Sequence, residues 1–158
     1  MRNVVVAIGL MAGTVEAGAA RQAPGADSIL VSAEWVRSRL GQTGVVLVHV
    51  GHRMDTTATS ELIPGSVEVD YMAITENAGP VQTELPTPDS LRALFRSLGI
   101  SNDSRVILYS ADPKMAARAF VTLEAAGHRR VHVLNGGVAA WKASGGEVTL
   151  TPFQPDRP

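Results

Sequence analysis

The fold is decided by residues 91–145, which read LRALFRSLGISNDSRVILYSADPKMAARAFVTLEAAGHRRVHVLNGGVAAWKASG. An amphipathic helix pattern at the start of this stretch ends at Gly99, and a continuous apolar run follows at 106–109. A second helix pattern runs from Pro113 to about 126, and a second short apolar run covers 131–134. Apolar strands that alternate with amphipathic helices are typical of a parallel sheet buried on both faces.

The rest of the chain supplies the remaining elements of the same pattern. The clearest strand patterns are the nearly continuous apolar runs at 45–50 and 106–109. Weaker strand patterns at 29–31, 67–69 and 131–134 bring the number of predicted strands to five. Helix signals mark four helices, at 33–40 after Ser32, from Pro88 after Thr87 to Gly99, at 113–126, and at 138–143. The sequence therefore predicts an α/β fold, a five-stranded parallel sheet flanked by helices on both faces.

The order of these motifs resembles the rhodanese family. A strand, a loop and a helix are followed by Ala126-Gly127-His128 and then by a Leu-x-Gly-Gly-x-x-Ala-Trp pattern that ends at Trp141. Upstream, Ile63-Pro64-Gly65-Ser66 is similar to a turn of that family. The resemblance implies a rhodanese-like domain over residues 28–150. The long loop 75–86 makes the pattern most similar to the first, non-catalytic domain of thiosulfate and 3-mercaptopyruvate sulfurtransferases.

The resemblance also indicates where a reaction would take place. In rhodaneses a cysteine follows the strand that corresponds to 106–109, and its thiolate carries the transferred sulfur as a persulfide. This chain has Ser110 at that position and contains no cysteine. A hydroxyl cannot carry a transferable sulfur atom, so Ser110 is the catalytic-position residue of a site that we predict to be inactive. The equivalents of the ligand-binding loop are Ala111, Asp112, Lys114 and Met115.

Two interpretations of this loop stay open. Asp112 followed by Pro113 is a common pair at the start of a helix, in which the carboxylate caps free N–H groups and weakens anion binding. In the other interpretation, Ser110 and Lys114 are polar contacts for a ligand. The family's Asp-Val-Arg motif is replaced by His49-Val50-Gly51, and its Gly-His pair before the turn by Glu61-Leu62.

Other kinds of site have weaker support in the sequence. His49, His52 and Asp55 are close in sequence, but residues three apart on a strand face opposite ways, so no metal is expected. A serine hydrolase triad at Ser110 lacks the expected Gly-x-Ser-x-Gly turn. No cofactor is expected. His128 and His132 are predicted to be surface residues.

Composition limits the classes of partner. The 158 residues are enough for one domain with its own core. The formal net charge of −1 gives no general attraction for nucleic acid, which is therefore not an expected partner. Arg118 lies too far into its helix to complete a phosphate-binding loop.

The two ends of the chain carry different signals. Arg2, the apolar run 4–12 and Ala17-Gly18-Ala19 are typical of a secretory signal peptide over residues 1–19. Residues 20–27 are predicted to be a flexible lead, and residues 151–158, with three prolines, a disordered tail. A periplasmic or secreted location is therefore expected, with no integral membrane segment after signal cleavage.

Two functions remain as hypotheses from the sequence. The leading one is a non-catalytic binding or scaffold module of the cell envelope, which contacts an unidentified protein partner through the face around Ser110 and Glu61. The alternative is a sulfurtransferase-family enzyme whose activity is residual or depends on a partner that supplies the cysteine.

Overall fold

The computed structural model describes residues 28–52, 61–76 and 83–155, and these ranges contain five strands, four α-helices and one short 3₁₀ helix. The strands are β1 (Leu30–Val31), β2 (Val45–Gly51), β3 (Val67–Asp70), β4 (Arg105–Tyr109) and β5 (Val131–Leu134). The helices are α1 (Ala33–Arg37), α2 (Pro88–Ser97), α3 (Pro113–Ala125) and α4 (Gly137–Ala143). All of the predicted strands and helices are confirmed, with boundaries that shift by a few residues.

The five strands form one parallel sheet in the order β1-β5-β4-β2-β3. The predicted α/β fold is thereby confirmed. β4 and β2 lie at the centre, and their registers place His49 of β2 beside both Tyr109 of β4 and Glu68 of β3. Because all strands run the same way, the loops that follow β2, β3 and β4 meet at one edge of the sheet.

Helices cover both faces of the sheet. One apolar core lies under α2 and α3 and includes Val50, Leu108 and Leu123. The other lies under α1 and α4 and includes Trp35 and Trp141. Adjacent residues of a strand point to opposite faces, so each central strand contributes side chains to both cores.

Two connections were not predicted. Asp70 caps a short 3₁₀ helix, Tyr71–Ile74, by accepting a hydrogen bond from the N–H group of Met72 at 2.9 Å. Leu62 and Thr149 form an isolated antiparallel bridge, with N···O distances of 2.7 and 2.8 Å. This bridge fastens the segment after α4 to the turn before β3.

The residues after this bridge belong to segment 151–158, for which disorder stays a prediction. Residues 151–155 run back along the domain, and the N–H group of Phe153 donates to the carbonyl of Ser66 at 2.8 Å. The prolines leave Phe153 free to donate, which is why a proline-rich segment can still be fixed by a backbone hydrogen bond. The predicted signal peptide (1–19), the lead (20–27) and residues 156–158 lie outside the described residues.

No helix among the described ranges has the length and apolar character needed to cross a bilayer.

Candidate ligand site at the strand ends

A cavity of about 550 Å³ opens at the carboxyl ends of β2, β3 and β4, and we call it the strand-end cavity. Ser110, Ala111 and Asp112 line it from the β4–α3 loop, and Met115 lines it from the first turn of α3. Its other described lining residues come from β2, β3 and two separate segments: His49, Val50, Gly51, His52, Leu62, Glu68, Val69, Asp70, Leu150, Pro152 and Gln154. The structure thus brings four of the five predicted site residues together, whereas Lys114 is exposed and does not line the cavity.

Ser110 follows the last residue of β4 and is only 8 % exposed. Its hydroxyl oxygen accepts a hydrogen bond from the N–H group of Asp112 at 3.3 Å. Among the described residues no histidine is hydrogen-bonded to this hydroxyl, so the arrangement that a serine hydrolase needs is not formed there. Ser110 therefore serves as a buried polar residue in the wall of the strand-end cavity.

Asp112 caps α3, as one of the two interpretations of the loop required. Its Oδ1 atom accepts from the N–H group of Lys114 at 2.9 Å, and Pro113 occupies the first turn of the helix. The carboxylate thus takes the place that an anion would occupy at the helix N-terminus. A second negative group at this point would be repelled by Asp112.

Gly137, at the start of α4, brings this helix against the same loop. A Cβ atom on Gly137 would lie 2.8 Å from the carbonyl oxygen of Ser110, closer than side-chain atoms come in proteins. Gly136 and Gly137 both have positive φ angles, of 79° and 54°. The paired glycines therefore set how closely α4 approaches Ser110.

His49 is buried at the end of β2, with its Nδ1 atom 3.3 Å from Oε1 of Glu68. Burial lowers the pKa of the His49 imidazole below its ordinary value, although Glu68 opposes the shift, and His49 is therefore neutral near pH 7. Asp55, named with His49 and His52 as a weakly supported metal site, lies outside the described residues. The described residues contain no group of three or more ligands placed to bind a metal.

Tyr109, at the end of β4, connects the sheet to the turn that contains Ile63 and Ser66. Its hydroxyl oxygen accepts from the N–H group of Ile63 at 3.0 Å and lies 2.7 Å from Oγ of Ser66. Ser66 donates to the carbonyl of Ile63, so Tyr109 is the donor in its bond to Ser66. Burial raises the pKa of the Tyr109 phenol, which stays protonated. The sequence did not predict this network, because Ser66 and Ile63 are 43 and 46 positions from Tyr109 along the chain.

The Glu61 loop is tied to α4. Lys142 donates to both carboxylate oxygens of Glu61, at 2.7 and 2.9 Å. Glu61 does not line the strand-end cavity among the described residues. Its charge is therefore balanced locally by Lys142.

The remaining predicted residues lie elsewhere. Arg118 donates to the carbonyl oxygens of Thr83 and Glu84, away from the strand-end cavity. The prediction that His132 is a surface residue is wrong: it is 4 % exposed, with Nδ1 2.7 Å from the carbonyl of Ser28 and its ring against Trp35. The reason is that α1 covers the face of β5 on which His132 lies.

The sequence of this chain matches one protein family and two curated proteins described below. A family model described as the rhodanese-like domain matches residues 32–144. A putative thiosulfate sulfurtransferase of Saccharopolyspora erythraea is 33 % identical over 83 % of this chain and 45 % of its own length. The thiosulfate sulfurtransferase of Bos taurus is 31 % identical over 80 % of this chain and 47 % of its own length. The chain thus spans about half the length of the curated relatives it matches.

Solved structures show the same fold. The structure of SseA from Escherichia coli, described as a 3-mercaptopyruvate sulfotransferase, has a TM-score of 0.70 at 22 % identity and covers 80 % of this chain and 52 % of its own. The 3-mercaptopyruvate sulfurtransferase from Leishmania major has a TM-score of 0.66 at 17 % identity over 82 % of this chain and 38 % of its own. At these identities the similarity shows the fold alone.

Proposed function

The chain belongs to the rhodanese-like domain family, and from that premise we propose that it is a non-catalytic member, a binding or scaffold module whose ligand enters the strand-end cavity. One observation carries this proposal: the residue at the family's reactive position is Ser110, and none of the 158 residues is a cysteine. Oxygen in a hydroxyl neither ionises near pH 7 nor accepts a sulfane sulfur, so the sulfur-carrying step has no reagent in this chain.

The surroundings of Ser110 support the same conclusion. A thiolate in this position would be stabilised by free N–H groups at the start of α3. Here the Asp112 carboxylate accepts a hydrogen bond from one of these N–H groups, that of Lys114, and Pro113 has no backbone N–H group. Asp112 also adds a negative charge beside the position where a thiolate and a thiosulfate would meet.

A second candidate function is favoured by the curated relatives. Two of them are named thiosulfate sulfurtransferases, and each is about twice as long as the matched region. A domain on another chain could supply the cysteine and make this chain one half of an enzyme. Activity would then appear only when both chains are present.

We propose an exported location for the protein, in the periplasm or outside the cell. The proposal rests on the charge and apolar pattern of residues 1–19. Detection of a mature chain that begins near residue 20 in a periplasmic or culture fraction would test it, and a full-length chain in the cytoplasm would contradict it.

The test of the proposed function is thiocyanate formation from thiosulfate and cyanide, with the Bos taurus enzyme as the positive control. We expect no turnover above the buffer blank and no sulfur-atom mass increase after incubation with thiosulfate. Turnover by the purified chain alone would overturn the proposal. Turnover only after a cysteine-containing domain is added would favour the second candidate.

Two variants separate the loss of the sulfur from the change in its surroundings. Ser110→Cys restores the thiol, and Ser110→Cys with Asp112→Asn also removes the neighbouring charge while keeping a capping side chain. We expect the single variant to have the higher thiol pKa of the two, by about one pH unit, because a carboxylate disfavours a nearby thiolate. Equal thiol pKa values would show that Asp112 does not act on the site.

A further inference from the structure

We propose that the strand-end cavity binds a basic side chain, lysine or arginine, that a partner protein presents on an apolar segment. The inference rests on the proposed binding function and specifies the charge and the chemistry of the ligand. It is the reverse of what a sulfurtransferase site requires, since that site attracts thiosulfate and other anions.

The first argument is the charge of the lining. Glu68, Asp70 and Asp112 line the cavity, and the described lining contains no lysine or arginine. His49 adds no charge near pH 7 because burial holds its pKa below the ordinary value. Three carboxylates around one concave site focus a negative potential into it, which attracts cations and repels anions.

The second argument is that these carboxylates have oxygens left for a ligand. Each one uses a single oxygen within the domain: Glu68 toward His49, Asp70 toward the N–H group of Met72, and Asp112 toward the N–H group of Lys114. Each second oxygen makes no hydrogen bond to the described residues. A lysine ammonium has three donors and an arginine guanidinium has five, so either can bridge several of these oxygens.

The third argument is the buried hydroxyl in the wall. Ser110 is more than nine-tenths buried, and its oxygen accepts one hydrogen bond, from Asp112. A hydroxyl oxygen has a second lone pair, which makes Ser110 a neutral acceptor for the N–H group of a cation. The substitution of serine for cysteine thus leaves a polar contact in a site lined with carboxylates.

The sequence between the described ranges 28–52 and 61–76 adds no net formal charge. Residues 53–60 follow His52, and their sequence contains one arginine and one aspartate. Their formal charges cancel, and the acidic residues of the described lining are Glu68, Asp70 and Asp112.

The rim of the cavity indicates a protein partner rather than a free amine. Leu150 lines the cavity and is 59 % exposed, and Pro152 lines it from the same segment. These two side chains lie on the segment that the Leu62–Thr149 bridge and the Phe153 hydrogen bond hold in place. The cavity volume of about 550 Å³ lies within the range of about 300–1,000 Å³ for ligand sites, so it has room for a long side chain together with its neighbouring residues. Apolar neighbours of the basic residue would cover Leu150 and Pro152.

The test uses three five-residue peptides, with glycine at both ends and leucine on either side of a central residue. The central residue is lysine, norleucine or glutamate. Binding is measured by titration, and the backbone amide resonances of Ser110, Ala111 and Asp112 report the location. We expect the lysine peptide to shift these resonances and to bind at least about tenfold more tightly than the norleucine peptide, since several partly buried charge pairs form together. We expect no binding of the glutamate peptide.

Variants test the assignment to these carboxylates. Glu68→Gln with Asp112→Asn keeps hydrogen-bond acceptors for His49 and for the Lys114 N–H group while removing two charges. We expect it to weaken binding of the lysine peptide at least about tenfold. Asp89→Asn with Asp103→Asn is the matched control, because these two exposed carboxylates also lose two charges and lie outside the cavity. Thermal unfolding of both double variants checks that they fold.

The remaining outcomes decide against the inference. Equal binding of the lysine and norleucine peptides, binding of the glutamate peptide, or an equal effect of the control variant would overturn it. Equally tight binding of free lysine amide would overturn the protein partner. The thiocyanate assay on the same preparation separates the two proposals: turnover refutes the non-catalytic function, whereas absent turnover with no peptide binding refutes only the basic ligand.

Discussion

Tyr109 shows how one residue joins the sheet to the site. It is fully buried, and its hydroxyl satisfies the N–H group of Ile63 while donating to Ser66. We expect Tyr109→Phe to lower the free energy of unfolding by about 1–3 kcal/mol, because the Ile63 N–H group is left buried without an acceptor. Chemical denaturation measures the change. Tyr71→Phe, at a partly exposed ring, is the control and should change the free energy of unfolding by less than about 0.5 kcal/mol. Equal effects at both positions would contradict the role of the network.

At the residue scale, the sequence correctly predicted features that depend only on residues close together in the chain. Asp112 and Pro113 were identified as a helix start because capping depends on neighbours in sequence, and the structure shows that cap. His132 was misassigned because its burial depends on Trp35, 97 positions away, which covers its ring. The acidic character of the cavity was missed for the same reason. Glu68 and Asp70 lie on β3, far in sequence from Ser110, and only the parallel register brings them together.

At the scale of elements, the stability of α3 depends on its N-cap residue, Asp112. Asp112→Ala removes the acceptor for the Lys114 N–H group, whereas Asp112→Asn keeps one. We expect the alanine variant to lower the free energy of unfolding by about 1 kcal/mol and the asparagine variant to lower it much less, since asparagine is as good a cap as aspartate. Urea denaturation of both variants measures this difference. If both variants lost the same stability, the charge of Asp112 rather than its hydrogen bond would stabilise α3.

Element positions were predictable because the central strands β2 and β4 are buried on both faces. Such strands appear as continuous apolar runs, and the runs at β2 and β4 gave correct positions. The short 3₁₀ helix and the Leu62–Thr149 bridge were not predicted, since neither has a periodic apolar pattern. The backbone hydrogen bond of Phe153 was not predicted either, because a single contact of this kind leaves no pattern in the sequence.

At the scale of the whole molecule, the site is assembled from parts that no single stretch contains. β2, β3 and the β4–α3 loop contribute the polar groups, and the segment after the Leu62–Thr149 bridge contributes Leu150. The resemblance to rhodaneses predicted which loop would be central, because that loop keeps its place after β4. It could not predict the charge of the cavity, since Glu68 and Asp70 line the cavity from β3, outside the motifs that carry the resemblance.

The two cores share one sheet, and we therefore expect unfolding to be a single event. Val48 and Val50 of β2 face one core, while Leu47 of the same strand faces the other, so neither core can be lost while the strand stays in place. Trp35 and Trp141 both lie in the core under α1 and α4. Most of the helical residues belong to α2 and α3, which have 10 and 13 residues and cover the other face. Tryptophan fluorescence and far-ultraviolet circular dichroism therefore report opposite faces.

We expect the two signals to change at the same urea concentration, as in a two-state transition. Val50→Ala, in the core under α2 and α3, should lower both midpoints together through a loss of about 2 kcal/mol, because a cavity replaces two methyl groups. Val121→Ala is the matched control, since Val121 is 54 % exposed and its loss of the same two methyl groups leaves no cavity. A dichroism midpoint that falls while the fluorescence midpoint stays would show that the faces unfold separately, and that the sheet does not couple α3 and the strand-end cavity to the core under α4.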